Sequence, residues 1–228
     1  MKQKIAYALL ILTMCAVQLK AQRHDLGLFV TPQLGFYTEN KSSGFAITEG
    51  LQYAINYHRW GANVGIAYEL VNNTFTDTYY PFYFNEDYNF TPYYAKEAII
   101  EKQYLLIPLR ISYDFFEMNK LKIGAVVGCN LGYLISFETI YVYKDDIMEG
   151  FDFPTNIGVK AMLSKYDFDD KLEIDAMAGF QVNYTFANHI KLSLLPFYSY
   201  RFFFGKQALS TEKYMNAGIE IRASYRIK

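Results

Sequence analysis

Several features are scarce in this chain of 228 residues, and each scarcity excludes a class of protein. Two cysteines, Cys15 and Cys129, permit one internal disulfide at most, which excludes a small disulfide-stapled fold. The formal net charge is −1 and no basic run occurs, which argues against nucleic acid as a partner. The sequence lacks CxxC, HExxH and phosphate-cradling glycine motifs, so we predict no catalytic residue, cofactor or metal site.

The first residues have the pattern of an export signal. Lys2 and Lys4 precede an uncharged apolar run over 5–17, which is shorter than the roughly 20 residues of a membrane helix. A plausible cleavage point follows Ala21. We therefore predict a signal peptide over residues 1–21.

Cys15 offers a competing interpretation of the same segment. It ends a stretch that faintly resembles a lipoprotein cleavage box, but Met14 stands where a small residue is expected. Removal of the signal leaves Cys129 alone, so the exported chain can form no internal disulfide. We assign residues 22–228 to one domain that must be stabilised in another way.

Apolar and polar residues alternate with period two through the rest of the chain, a pattern typical of β-strands with two unlike faces. Val64, Ile66 and Tyr68, for example, alternate with Asn63 and Gly65. Each run reaches the roughly 9–11 residues that a tilted membrane strand needs. The eight runs span residues 26–36, 45–57, 60–70, 105–115, 123–133, 172–184, 190–199 and 216–227.

The connections between these runs alternate in length. Tight links fall around residues 58–59, 118–120 and 187–188, whereas 72–98 and 136–170 are long. Short turns on one rim and long loops on the other are the asymmetry of an outer-membrane barrel. The sequence thus predicts an all-β fold: an eight-stranded antiparallel up-and-down transmembrane β-barrel with short periplasmic turns and long extracellular loops.

A soluble barrel with its apolar face inward would alternate in the same way. Here the polar face is dominated by Gly, Ser, Thr, Asn and Gln instead of the Lys and Glu of a water-facing surface. Glycine on the concave side relieves crowding in a tightly curved barrel, and the polar face carries ten of them: Gly27, Gly35, Gly50, Gly61, Gly65, Gly124, Gly128, Gly132, Gly179 and Gly218.

Aromatic residues near the predicted short-turn rim also favour the membrane barrel, because such rings sit well at a lipid–water boundary. They are Tyr57, Trp60, Tyr113, Phe115, Phe116, Tyr184, Phe186 and Tyr225. We therefore expect the apolar face to point outward, with outer-membrane lipid as its neighbour.

Two adjacent runs resemble a known family. The segment from Tyr104 to Tyr113 (YLLIPLRISY) and the segment from Gly124 to Leu134 (GAVVGCNLGYL) are similar to strands of the PorT-like outer-membrane β-barrel family of Bacteroidetes. Tyr166-Asp167-Phe168 resembles the start of a further strand of that family, although Asp169-Asp170 follows where glycine is frequent. The resemblance implies an outer-membrane barrel with periplasmic termini. The name-giving member is associated with protein secretion and gliding machinery.

Charged residues on the polar face are predicted to meet inside the barrel. Eight strands leave an interior just wide enough for side chains to fill, and isolated charges there would cost several kcal/mol each. We expect a hydrogen-bonded structural plug, with a proton or ion path as the alternative. The predicted lumen network comprises Glu69, Arg110, Asp114, Glu173, Asp175, Lys191, Arg201, Glu220 and Arg222.

The first long connection is rich in aromatic residues. An exposed cluster of this kind is typical of a binding surface, and the alternative is that the rings pack locally on the barrel rim or extend its strands. The predicted loop binding surface comprises Tyr79, Tyr80, Phe82, Tyr83, Phe84 and Tyr88.

Three function classes follow from these patterns. The first is a non-enzymatic barrel that binds a protein or glycan partner, or serves secretion, through its extracellular loops. The second is a conduit for small solutes or lipid, and the third is a lipid-modifying enzyme. His24, His58 and His189 belong to the short-turn rim or the start of the first run, where an outer-leaflet enzyme would not place its catalytic groups. We favour the first class, with a monomer as the expected state.

Overall fold

The computed structural model describes residues 23–37, 43–76, 95–143, 156–160, 172–186, 189–203 and 214–227. The predicted signal peptide lies outside these residues. Among the described residues no helix is both long enough and apolar enough to cross a membrane. The strands are β1 Arg23–Tyr37, β2 Ser43–Tyr57, β3 Trp60–Thr76, β4 Ala95–Met118, β5 Leu121–Tyr143, β6 Asn156–Lys160, β7 Leu172–Thr185, β8 Ile190–Phe203 and β9 Tyr214–Arg226.

Eight of these strands form a closed antiparallel barrel. Pairing runs from β4 through β3, β2 and β1 to β9, β8, β7 and β5, and the β4–β5 pair completes the circuit. Among the described residues β6 pairs only with the upper part of β5, opposite residues 138–142, and stands outside the closed ring. The predicted eight-stranded up-and-down barrel is confirmed. Closure gives hydrogen-bond partners to the peptide groups at the strand edges, which hydrocarbon could not provide.

The two faces of each strand point as the alternation predicts. In β5, Val126 is 1% exposed whereas its neighbour Val127 is 57% exposed. In β1, Leu28 is 63% exposed while the hydroxyl-bearing Thr31 is buried. The small and polar residues therefore point into the interior, together with a few buried apolar side chains such as Leu106 and Phe197. The exposed apolar residues form the outer wall that faces lipid.

Glycine permits close packing on the concave side. A methyl group added at Gly50 would lie 2.5 Å from the carbonyl oxygen of Ile66 and 2.6 Å from the Cβ of Ala67. At Gly35 the nearest atom would be 3.2 Å away, on the side chain of Asn216. The crowding that glycine relieves is thus severe at Gly50, where the neighbouring strand approaches the backbone closely, and mild at Gly35.

Three strand prolines each interrupt one ladder and keep the other. The β3–β4 register skips the residues opposite Pro108, whereas β4–β5 pairs Pro108 with Asn130. Pro32 in β1 and Pro196 in β8 behave alike, each retaining a partner on one side only. Proline lacks the N–H that a ladder needs, so each proline leaves one local gap in the hydrogen bonding of an otherwise closed sheet.

The strands at the long-loop end extend further than the sequence pattern predicts. β3 and β4 remain paired as far as Thr76 opposite Glu97, within a segment predicted as a connection. β5 likewise continues to Tyr143, and β6 lies within the second predicted connection. Both boundaries were wrong because strands beyond the bilayer have no lipid-facing side, so their residues need not alternate between apolar and polar.

The opposite rim carries tight turns and aromatic rings. His58 and Asn119 each begin a two-residue turn with positive φ, 53° and 52°. The ring centroids of Trp60 and Tyr113 are 4.8 Å apart, and both side chains are exposed at the lipid-facing surface. The predicted turn at 187–188 lies outside the described residues. This rim is periplasmic in outer-membrane barrels of this kind.

The carboxyl side chain of Glu49 lies on the outer wall of the barrel. Glu49 has the outward parity of β2, is exposed, and pairs with Val30 and Tyr68 on the two neighbouring strands. Outward-facing Ile47 and Phe45 continue the apolar surface between Glu49 and the long-loop end of the strand. Its carboxylate therefore lies within the band that contacts acyl chains, where a charge is unfavourable.

Replacement of Glu49 by Leu is expected to stabilise the barrel in a bilayer by roughly 1 kcal/mol or more, because it removes a charged group from the lipid-facing surface. Urea unfolding in phospholipid vesicles, followed by fluorescence of the single tryptophan, would measure the change. Ile47→Leu serves as the control and should leave the stability nearly unchanged. A loss of stability in Glu49→Leu would contradict the placement of this carboxylate in lipid.

Candidate functional site in the barrel lumen

Most charged side chains of the lumen separate into three groups at different heights. The outer cluster, nearest the long loops, comprises Glu69, Glu173, Asp175 and Arg201. The central cluster comprises Arg110, Glu220 and Arg222. The inner cluster, nearest the short turns, comprises Asp25, Lys191, Asp114 and Lys122. The three groups contain all nine predicted residues of the lumen network.

Arg201 is the centre of the outer cluster. Its guanidinium donates to Glu69 at 2.7 Å and to both oxygens of Asp175 at 2.7 Å, and one of its nitrogens lies 2.9 Å from Glu173. Arg201 is 1% exposed and Glu69 is fully buried. β3, β7 and β8 supply these groups, so the cluster ties opposite walls of the barrel together.

Neutral side chains complete the outer cluster. Gln33 donates to Glu69 at 3.1 Å, and the hydroxyl of Thr48 donates to the same oxygen at 3.2 Å. The Arg201 guanidinium lies 5.2 Å from the ring centroid of Tyr104, within cation–π range. Six barrel strands therefore contribute side chains to the outer cluster, and this leaves little space for passage at this height.

The central cluster places one carboxylate between two guanidinium groups. Glu220 pairs with Arg110 across the lumen and with Arg222 on its own strand, where Nε of Arg222 lies 3.1 Å from the carboxylate. The Arg110 guanidinium also lies 5.5 Å from the ring centroid of Phe29. Glu220 is 1% exposed. This layer also fills the interior with paired charge.

The inner cluster is more open. Asp25 accepts hydrogen bonds from Lys191 at 2.7 Å and from Asn56 at 3.0 Å. On the other side of the opening, Asp114 accepts from Gln181 at 3.0 Å and lies 4.0 Å from Lys122. These pairs line a polar cavity that faces the short-turn rim.

The three carboxylates of the outer cluster have the arrangement of a cation site. Glu69, Glu173 and Asp175 each place an oxygen within 4.8 Å of the others, and all three are buried. The Arg201 guanidinium contacts each of these carboxylates. It therefore supplies the positive charge that a metal ion would otherwise bring to them. The arrangement is suited to holding the barrel walls together.

Sequence reasoning identified the residues of the network but missed some of its members. Asp25 lies one position before the first predicted run, and Lys102 lies before the fourth. Both are buried, at 3% exposure each, and both share the parity of the polar face. Extending the first run by one residue and the fourth by three would have found them. The grouping into three clusters has no counterpart in the sequence pattern.

The three histidines lie on the short-turn side and do not form a common site. His24 Nδ1 is 2.5 Å from the hydroxyl of Tyr53, and His189 stacks on Tyr225 with ring centroids 5.6 Å apart. His58 occupies a tight turn. The aromatic residues of the predicted loop binding surface lie outside the described residues.

A closed antiparallel barrel with an apolar exterior and a charged, filled interior defines the class of integral outer-membrane β-barrel proteins. The sequence matches the family described as outer membrane protein beta-barrel domain over residues 16–205. The chain belongs to this family, which indicates the outer membrane of a Gram-negative bacterium. A comparison with curated proteins found no significant match.

Solved structures of outer-membrane barrels are similar to this chain at low identity. Ail of Yersinia pestis has a TM-score of 0.41 and 9% identity, covering 90% of this chain and 99% of its own. OprG of Pseudomonas aeruginosa has a TM-score of 0.41 and 11% identity, with 91% and 96% covered. The protease OmpT of Escherichia coli has a TM-score of 0.36 and 11% identity, with 90% and 96% covered.

Arg201→Met is expected to lower the free energy of unfolding by about 3–5 kcal/mol at neutral pH, because it leaves three buried carboxylates without their shared cation. Acidification should restore part of the loss, since protonation neutralises those carboxylates. Urea unfolding in vesicles, monitored by Trp60 fluorescence, would measure both effects.

Lys122→Met is the matched control, because Lys122 pairs with the half-exposed Glu117 at 2.8 Å near the rim. Such a pair contributes about 1 kcal/mol or less. Equal losses in the Arg201 and Lys122 variants would contradict a special role for the outer cluster.

Proposed function

We propose that this protein is a non-enzymatic outer-membrane barrel that binds a protein or glycan partner through its extracellular loops. The observation that carries the proposal is the filled lumen. Arg201, Glu69 and Glu220 are at most 1% exposed, so the barrel interior offers neither a wide channel nor an open reaction site at these heights. The interior stabilises the scaffold, and the loops at the cell surface interact with partners.

The connection between β3 and β4 is the favoured binding segment. Residues 77–94 join two long paired strands and contain the six aromatic residues of the loop binding surface. Tyrosine and phenylalanine supply large contact areas with few rotatable bonds, which favours their use at interfaces. The paired ends of β3 and β4 would present such a segment above the membrane.

A role in secretion is a second form of the same loop-mediated function, and a conduit and a lipid-modifying enzyme stand as alternatives to it. The resemblance of the β4 and β5 segments to the PorT-like family of Bacteroidetes supports a role in secretion, in which the partner would be a component of the secretion machinery. A conduit for solutes or lipid would require the outer and central clusters to rearrange. A lipid-modifying enzyme would require catalytic groups near the long-loop rim.

The filled lumen predicts that the mature barrel produces no steady conductance in planar lipid bilayers, because both buried clusters obstruct the path. Recordings on the folded protein would test this, with a porin inserted under the same conditions as the positive control. Insertion of the barrel would be verified separately by its protection from protease. Reproducible conductance steps would contradict the proposal in favour of the conduit.

Replacing residues 77–94 by a short Asn-Gly turn is expected to leave a folded barrel and to abolish binding at the cell surface. A deletion strain complemented with the full or shortened chain would be assayed for binding to a glycan array and for its secreted proteins. The barrel's altered migration on unheated gels would report folding.

A variant that carries serine at the six aromatic positions separates ring chemistry from loop length. A matched variant shortened over 204–213, between β8 and β9, controls for loss of any surface loop. The proposal is supported if the 77–94 replacement and the six-serine variant lose binding while the 204–213 variant keeps it. Full binding without residues 77–94 would overturn it, and a defect in secretion without one in glycan binding would favour the secretion role.

A further inference from the structure

A polar cavity of about 610 Å³ opens at the short-turn end of the barrel. We call it the vestibule, and its walls are formed by residues of all eight barrel strands and the β2–β3 turn. It lies below the central cluster, and the short-turn rim connects it with the periplasm. Its volume falls within the range of about 300–1,000 Å³ typical of sites for small molecules.

Positive charge exceeds negative charge on the vestibule walls. Three carboxylates line the cavity, from Asp25, Asp114 and Glu117. Twice as many cationic side chains face them, namely Arg23, Arg59, Lys122, Lys191, Arg222 and Arg226. A cavity with low-dielectric walls strengthens the field of such an excess charge.

Each vestibule carboxylate already has a partner within the protein. Asp25 accepts from Lys191 at 2.7 Å, Glu117 lies 2.8 Å from Lys122, and Asp114 accepts from Gln181 at 3.0 Å. The acidic groups are therefore engaged, and the positive excess extends to the mouth of the cavity. Arg23 and Arg59 are exposed there, on β1 and on the β2–β3 turn.

The outer cluster at the opposite end of the lumen has a different composition, with three carboxylates around the Arg201 guanidinium. The excess positive charge is thus a property of the vestibule and does not extend through the whole interior. An anion that enters from the periplasm would meet guanidinium groups first and would be stopped by the filled central layer.

We propose that the vestibule binds a small polyvalent anion from the periplasm, one that carries two or more phosphate or carboxylate groups. Guanidinium groups bind both kinds of oxyanion through paired hydrogen bonds. Arg23 and Arg59 at the mouth contribute most to recognition, because they are exposed and can turn toward the ligand. This site lies at the opposite end of the barrel from the proposed loop surface, so neither proposal depends on the other.

The test is isothermal titration of the folded, full mature barrel in a neutral detergent at low ionic strength. Pyrophosphate represents the phosphate class, citrate the carboxylate class, and acetate serves as the monovalent control. We expect pyrophosphate, citrate or both to bind, and acetate not to bind. Which of the two binds identifies the oxyanion class. Binding should weaken as sodium chloride is added, because salt screens exposed charges.

The double variant Arg23→Gln, Arg59→Gln is expected to raise the dissociation constant tenfold or more. Thr185→Glu adds a carboxylate to the vestibule wall while leaving every cation in place, and it should weaken binding as well. Lys120→Gln is the matched control, because Lys120 belongs to the β4–β5 turn and is not part of the vestibule lining. It should change the constant less than twofold.

Three results would overturn the proposal. Absence of binding by both polyvalent anions is the first. Binding of acetate as tight as that of citrate and pyrophosphate is the second. Equal weakening by Lys120→Gln and the double variant is the third, since this would indicate a general surface charge effect. Altered migration on unheated gels would establish that each variant is folded before titration.

Discussion

The structure depends on one constraint: hydrocarbon offers no hydrogen-bond partner to a peptide group, so every strand that crosses the membrane must be paired on both edges. The β4–β5 and β1–β9 pairs complete the ring that meets this requirement. Once the ring is closed, each strand has a lipid face and a lumen face, and residues must sort between them. The three proline gaps show how small a departure from full pairing the ring tolerates.

The small interior follows from the same constraint. A ring of eight strands encloses a lumen narrow enough for side chains to span it. Arg201 therefore reaches carboxylates on two other strands, and Arg110 reaches Glu220 across the lumen. A buried charge without a partner would be costly, whereas these groups satisfy one another. The same contacts that stabilise the barrel also fill its lumen. The lumen is therefore used for stability, and the proposed function falls to the loops.

The two ends of the barrel differ in ways that matter for function. At the long-loop end the strands extend beyond the membrane, and β6 adds a short partner to β5. At the short-turn end the lumen widens into the cationic vestibule. The lumen between them is filled by paired charges, so the two proposed binding sites can act without a channel connecting them.

The sequence by itself determined the eight strands of the ring, their antiparallel order, the outward apolar face and the lumen side of the nine predicted charged residues, because period-two alternation records which side of a strand meets lipid. It could not determine which charges pair, because Glu69 and Arg201 are separated along the chain and meet only after closure and the stagger of the strands set their heights. It also misplaced the upper strand ends, where no lipid imposes alternation. The excess positive charge of the vestibule is likewise a tertiary property, since its cationic groups come from separate strands that only the closed ring brings around one cavity.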